Sequence, residues 1–127
     1  MPDTGTDTAR NRALWTVVNS PFTAEDADRA WAAKEITWGL FGVPDRDLGV
    51  LGDVAGLDVL ELGCGTAYLS GLLARQGARP VGVDLTPAQL ATAGRCQQAN
   101  GEGDRQPRQP ALLDGLHRCP PLGLLSR

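Results

Sequence analysis

Val59-Leu60-Glu61-Leu62-Gly63-Cys64-Gly65-Thr66-Ala67 is the stretch on which the reading of this chain turns. Asp58 to Leu62 is a short apolar run of the length of a buried strand. Gly63-Cys64-Gly65-Thr66 then breaks it with two glycines, which permit a tight bend and a close approach of backbone to a ligand. Beyond the turn, Leu69, Leu72 and Leu73 recur at helical spacing, and Gly77 stands where a helix C-cap is expected. Pro80 to Val83 reads as a second strand, with proline tolerated at its first residue, and Asp84 ends it. Thr86 as N-cap and Pro87 at the first helical position open a second helix running to about Asn100-Gly101. Strand, helix, strand and helix joined by short loops form a βαβα unit, which predicts a parallel sheet.

The chemistry follows from the same residues. A strand-to-helix turn lies at the carboxyl end of a parallel strand, where open α/β sheets bind ligands. Asp84 closes the next strand about twenty residues beyond Glu61, the spacing at which a carboxylate takes ribose hydroxyls in nucleotide-binding units. An adenosine-containing ligand is therefore expected. Dinucleotide binders favour G-x-G-x-x-G, and here the third glycine is replaced by Tyr68. Glu61, at the mouth of the turn, would repel a pyrophosphate, which wants helix N–H groups and no neighbouring anion. The same carboxylate suits a ligand carrying an ammonium and a sulfonium, which is S-adenosylmethionine.

Leu60 to Ala67 closely resembles motif I of the class I S-adenosylmethionine-dependent methyltransferases, the E/D-x-G-x-G-x-G turn. Val81-Gly82-Val83-Asp84-Leu85 resembles the second-strand motif of that family, and Thr86-Pro87 with Leu90 its usual helix start. The resemblance covers about residues 57–100, and the segment around Trp38 is similar to the lead-in of small bacterial members. It implies that Glu61 faces the methionine end of the cofactor. Gly63, Cys64, Gly65 and Thr66 would line it, Asp84 would take both ribose hydroxyls, and Leu85 would pack beside the adenine. It also implies methyl transfer to an acceptor, expected to be a small molecule, by one in-line displacement needing mainly positioning and water exclusion. Ala67 stands where the last motif glycine often sits. The rival readings are a non-catalytic cofactor-binding remnant and, less favoured, a dinucleotide-dependent oxidoreductase.

The fold class expected is α/β, a Rossmann-like doubly wound parallel sheet, incomplete. It would comprise the first two βα units and an N-terminal helical cap. Residues 1–56 read as cap and linker, 57–101 as the S-adenosylmethionine-binding unit, and 102–127 as an irregular tail. Within the cap, residues 1–12 read as a loose tail and Arg12 to Asn19 as a turn or extended segment. After the break at Ser20-Pro21, Thr23 and Asp26 fit a capping box, and a helix is expected from Ala24 to about Ile36. Ala27, Trp31 and Trp38 fall on nearly one face of it, a pattern that favours packing over a lid.

In the tail, Ala111-Leu112-Leu113 is the one candidate strand, and Pro120-Pro121 blocks a helix. The third and fourth strands that the resemblance implies are missing from the sequence. The run Glu102 to Pro110 has the Arg, Pro, Gly and Gln of a GC-rich gene read out of frame. Between a genuine divergent ending and a truncated or frame-slipped one, the latter is expected, and with it no turnover by this chain alone. A catalytic base is not nominated.

Composition bounds the rest. With 127 residues, 42% hydrophobic and 21% charged, the chain suits one ordinary globular domain. A net charge of -3 argues against a nucleic-acid partner. The polar start lacks the apolar core of a signal peptide and no apolar run suits a membrane span, so a cytoplasmic protein is expected. Cys64, Cys96 and Cys119 form no CxxC pair, and His117 near Cys119 falls short of a metal ligand set.

Overall fold

The computed structural model describes residues 4–100 and 117–118. The expected strand Ala111-Leu112-Leu113 and Cys119 lie outside them, as does the rest of the expected tail apart from His117 and Arg118.

The βαβα unit forms where the sequence places it. Strand β3 spans Asp58–Leu62, helix α4 Tyr68–Arg75, strand β4 Arg79–Asp84 and helix α5 Pro87–Ala99. β3 and β4 are parallel, with Val59 opposite Pro80 and Glu61 opposite Gly82. Gly77, with φ of 89°, turns the chain out of α4. Thr86 is the N-cap of α5 and Pro87 its first residue. Ahead of this unit come α1 (Thr4–Asn19), α2 (Ala24–Trp31), a short antiparallel hairpin of β1 (Thr37–Trp38) and β2 (Val43–Pro44), and the single turn α3 (Asp45–Leu48). Among the described residues no helix is long and apolar enough to cross a membrane.

Two clusters form the core. Ala27 and Trp31 of α2 pack with Cys64, Ala67, Leu90, Ala93 and Cys96. Ile36, Val54, Leu72, Leu73 and Ala78 form the other, with Val59 and Leu69 against it. Trp31 joins α2 to α4. Its ring lies over Gly71, where an added Cβ would stand 2.7 Å from it, and its indole N–H donates to the Thr66 carbonyl at 2.8 Å. Asp28 of α2 receives Arg95 of α5 at 2.9 Å.

Four expectations are corrected. Where a loose tail and an uncertain segment were expected, Thr4–Asn19 is one helix, because Thr6 to Asn19 contains neither glycine nor proline to stop it. The capping box is present, with the Thr23 hydroxyl accepting from Asp26 N–H and the Asp26 carboxylate from Thr23 N–H, but α2 ends at Trp31. Trp38 therefore does not share a helical face with Trp31. It sits on β1 and donates its indole N–H to Asp45 at 2.7 Å.

β3 is not buried on both faces. Leu60 and Leu62 are 59% and 70% exposed, while Val59 and Glu61, on the opposite side, are partly covered. Apolar residues on both sides of a parallel strand suit a sheet covered on both faces. Among the described residues only one face has that cover. Lastly, β5 (His117–Arg118) pairs antiparallel with Val83 and Asp84, on the edge of β4 away from β3. The pairing uses backbone groups of an open edge, which no side-chain pattern announces.

Candidate functional site

The turn after β3 is set by backbone geometry. Gly63 and Gly65 have φ of 68° and 56°, in the left-handed region where a Cβ is penalised. Between them Cys64 N–H donates to the Val83 carbonyl at 3.0 Å, which ties the turn to the end of β4. Ala67, with φ of 60°, is the one non-glycine in that region among the described residues. It starts α4 without a side-chain cap.

Asp84 closes the arrangement. One carboxylate oxygen accepts Gly65 N–H at 2.8 Å and the other accepts Thr86 N–H at 2.7 Å. The carboxylate thus stands between the glycine turn and the start of α5, at the carboxyl ends of both parallel strands. Each oxygen has a further lone pair for a second donor.

Glu61 has a different partner. Its Oε2 accepts the backbone N–H of Ser70 at 3.1 Å and a short bond from the Ser70 hydroxyl. These contacts satisfy a donor in the first turn of α4, the work that an N-cap side chain usually does. Burial pushes the Glu61 carboxyl above the usual range, the Ser70 bonds oppose that, and the nearby Asp84 charge adds to the rise.

An open cleft of about 320 Å³ lies over the turn, lined by Trp15, Asn19, Gly63, Gly65, Asp84, Leu85 and Thr86. That volume is in the range of small-molecule sites. A second cleft of about 350 Å³ shares Asn19 and extends past the turn, with Phe22, Thr66, Tyr68 and Gln89 among its walls. Of the expected site residues, Gly63, Gly65, Asp84 and Leu85 therefore meet in one cleft, and Thr66 lines its neighbour. Cys64 is buried in the core, with its Sγ 3.8 Å from the Gly65 carbonyl of the turn. Glu61 lines neither cleft and is engaged with the helix behind the turn.

Residues 59–109 match a family profile described as "Methyltransferase domain". The chain is similar to a ubiquinone biosynthesis O-methyltransferase of Ruegeria pomeroyi, 45% identical over 58 residues, which are 46% of this chain and 23% of that protein. It is also similar to the ubiquinone biosynthesis O-methyltransferase of Ruegeria sp. strain TM1040, 43% identical over 58 residues, 46% of this chain and 24% of the relative. The match spans about a quarter of the length of these curated relatives. No solved structure matches the chain.

Methyltransferase domains generally use S-adenosylmethionine, and the cleft has features that fit it. Thr86 Oγ1 is buried and has no hydrogen-bond partner, in a residue of the cleft wall. Space stands open over Gly63, where an added Cβ would meet nothing within 4 Å. The residues of this cleft that sequence reasoning missed are Trp15, Asn19 and Thr86. Trp15 and Asn19 are one helical turn apart, so a helical reading of the glycine-free run before Ser20 would have put them on one face. Thr86 was read as a cap, and its hydroxyl makes no cap hydrogen bond.

Proposed function

We propose that the chain binds S-adenosylmethionine in the cleft over the glycine turn, as the cofactor-binding part of a methyltransferase acting on a small-molecule acceptor. The observation that carries this reading is the Asp84 carboxylate, held by Gly65 N–H and Thr86 N–H between the turn and α5. A carboxylate fixed in this way has free lone pairs for two adjacent hydroxyls, which is what a ribose presents. Gly63 and Gly65 leave room for the nucleoside, Leu85 offers it an apolar wall, and Thr86 a hydroxyl. Glu61 acts on the site from behind, by capping α4 and so holding the turn. Its carboxylate adds negative potential on the side expected for the ammonium and sulfonium. S-adenosylmethionine, when bound, supplies a methyl group already activated by its sulfonium.

The protein's own share is positioning and exclusion of water. The second cleft, which continues past Thr66 and Tyr68, is proposed to take the acceptor, and the names of the relatives make a hydroxyl acceptor the first class to test. The wider architecture proposed is the Rossmann-like sheet, with residues 57–101 as the binding unit and 1–56 as its cap.

Titration calorimetry of the 127-residue chain decides the cofactor. Binding of S-adenosylmethionine and S-adenosylhomocysteine, with none of NADH, is expected. Binding of NADH alone would move the assignment to a dinucleotide enzyme, and binding of none would remove the cleft as a nucleoside site. Binding is the appropriate readout, since transfer also needs an acceptor.

A further inference from the structure

Helix α1 leaves Leu14, Trp15, Val17 and Val18 exposed. Yet Trp15 and Asn19 line the same cleft as Gly63, Gly65, Asp84, Leu85 and Thr86. The remaining lining offers an amide, two glycines, a carboxylate, a hydroxyl and one aliphatic side chain. A purine has two flat apolar faces, and Leu85 can cover only one. Trp15, 51% exposed, is the only aromatic side chain among the described residues that line this cleft. The other two tryptophans are committed elsewhere, Trp31 to Thr66 and Trp38 to Asp45.

We propose that Trp15 is a cofactor-binding residue: its indole covers the nucleobase of the nucleoside held by Asp84, opposite Leu85, and α1 gains its missing contact only when the cleft is filled. The proposal rests on the S-adenosylmethionine site proposed above. A purine under Trp15 removes water from two apolar surfaces at once and stacks two π systems, which selects an adenosine and leaves the rest of the ligand free to vary. It also gives a surface helix with exposed apolar side chains a reason to stand beside the turn after β3 and the end of β4.

The test uses the full chain, with S-adenosylmethionine, S-adenosylhomocysteine and adenosine as probes. Affinities are measured by calorimetry and binding is followed by tryptophan fluorescence. Trp15→Ala is expected to weaken S-adenosylhomocysteine and adenosine by similar factors, on the order of tenfold, with Trp15→Phe recovering most of the loss. In the wild type, filling the cleft is expected to shield one tryptophan from acrylamide. That change should vanish in Trp15→Phe, where Trp31 and Trp38 remain. Circular dichroism should show Trp15→Phe folded as the wild type is, because the side chain is half exposed.

Wild-type affinity of Trp15→Ala for all three probes would overturn the proposal while leaving the cofactor site standing. A loss confined to S-adenosylmethionine would also overturn it, since an indole facing the sulfonium discriminates by charge. Failure of the wild type to bind any probe would remove the cofactor reading and this proposal together.

Discussion

Gly71→Ala inverts the usual effect of removing a glycine from a helix. Gly71 lies inside α4, where alanine is normally favoured by about 0.8–1.0 kcal/mol. Here the new Cβ would stand 2.7 Å from Cζ3 of Trp31 and 3.0 Å from two more ring atoms. Carbon atoms rest at about 3.5–4.0 Å, so the overlap is close to an ångström. The ring cannot yield cheaply. Trp31 is 1% exposed, and its indole N–H is bonded to the Thr66 carbonyl. Overpacking of a filled core costs about 1–3 kcal/mol, and stretching that bond adds about 0.5–1.5 kcal/mol. Set against the helix gain, the net loss is about 1–3 kcal/mol, a fall in Tm of roughly 5–20 °C for a domain of this size. Urea denaturation of wild type, Gly71→Ala, Trp31→Leu and the double variant separates the terms. With leucine at 31 the collision is relieved, so Gly71→Ala should become stabilising by about 1 kcal/mol, a coupling of about 2 kcal/mol or more between the two sites. If Gly71→Ala stabilises the wild-type chain as it would an open helix, the account of the α2–α4 contact is refuted.

Three further outcomes are expected. Because burial raises the folded Glu61 pKa above its ordinary 4.5, its stability contribution is full below that value and is lost as pH rises through the folded pKa. Glu61→Gln keeps an acceptor for Ser70, so its urea midpoint should gain on the wild type from pH 4 to pH 7; a difference that is flat or shrinks would contradict the burial argument. Asp84→Ala should weaken S-adenosylhomocysteine about ten- to hundredfold in calorimetry, since hydrogen bonds to a charged group contribute about 1.5–3 kcal/mol; unchanged affinity would take Asp84 out of the site. At Ala67, glycine relieves about 1–2 kcal/mol of left-handed strain but loses a buried methyl of about 0.8 kcal/mol and gains unfolded-state freedom. Thermal melts should therefore find Ala67→Gly within about 1 kcal/mol of wild type and Ala67→Val clearly less stable, because a β-branched residue there is a true outlier; equal stability of all three would show that the turn is not held at positive φ.

What the sequence determined by itself is the local part of this protein. The strand at Asp58–Leu62, the glycine turn, the leucine-faced helix ending before Gly77 and the Thr86-Pro87 start of α5 are each written within a few neighbouring residues. Strand spacing, turn conformation and capping are short-range physics. Asp84 and the turn were legible together because the βαβ connection fixes their separation. Whatever depends on a second surface was not. Glu61 could be read as a charge at the mouth of the turn, but only the packing of α4 across the strand turned it toward Ser70. Trp31 and Trp38 fit one helical stripe on paper, and the early end of α2 sent them to different partners, one at Thr66 and one at Asp45. Leu60 and Leu62 carry the same apolar signal as Val59, yet their burial depends on a layer and not on the residue. Trp15 entered the cleft because the last turn of α1 stands beside the turn after β3 and the end of β4, a long-range placement that its own sequence does not encode.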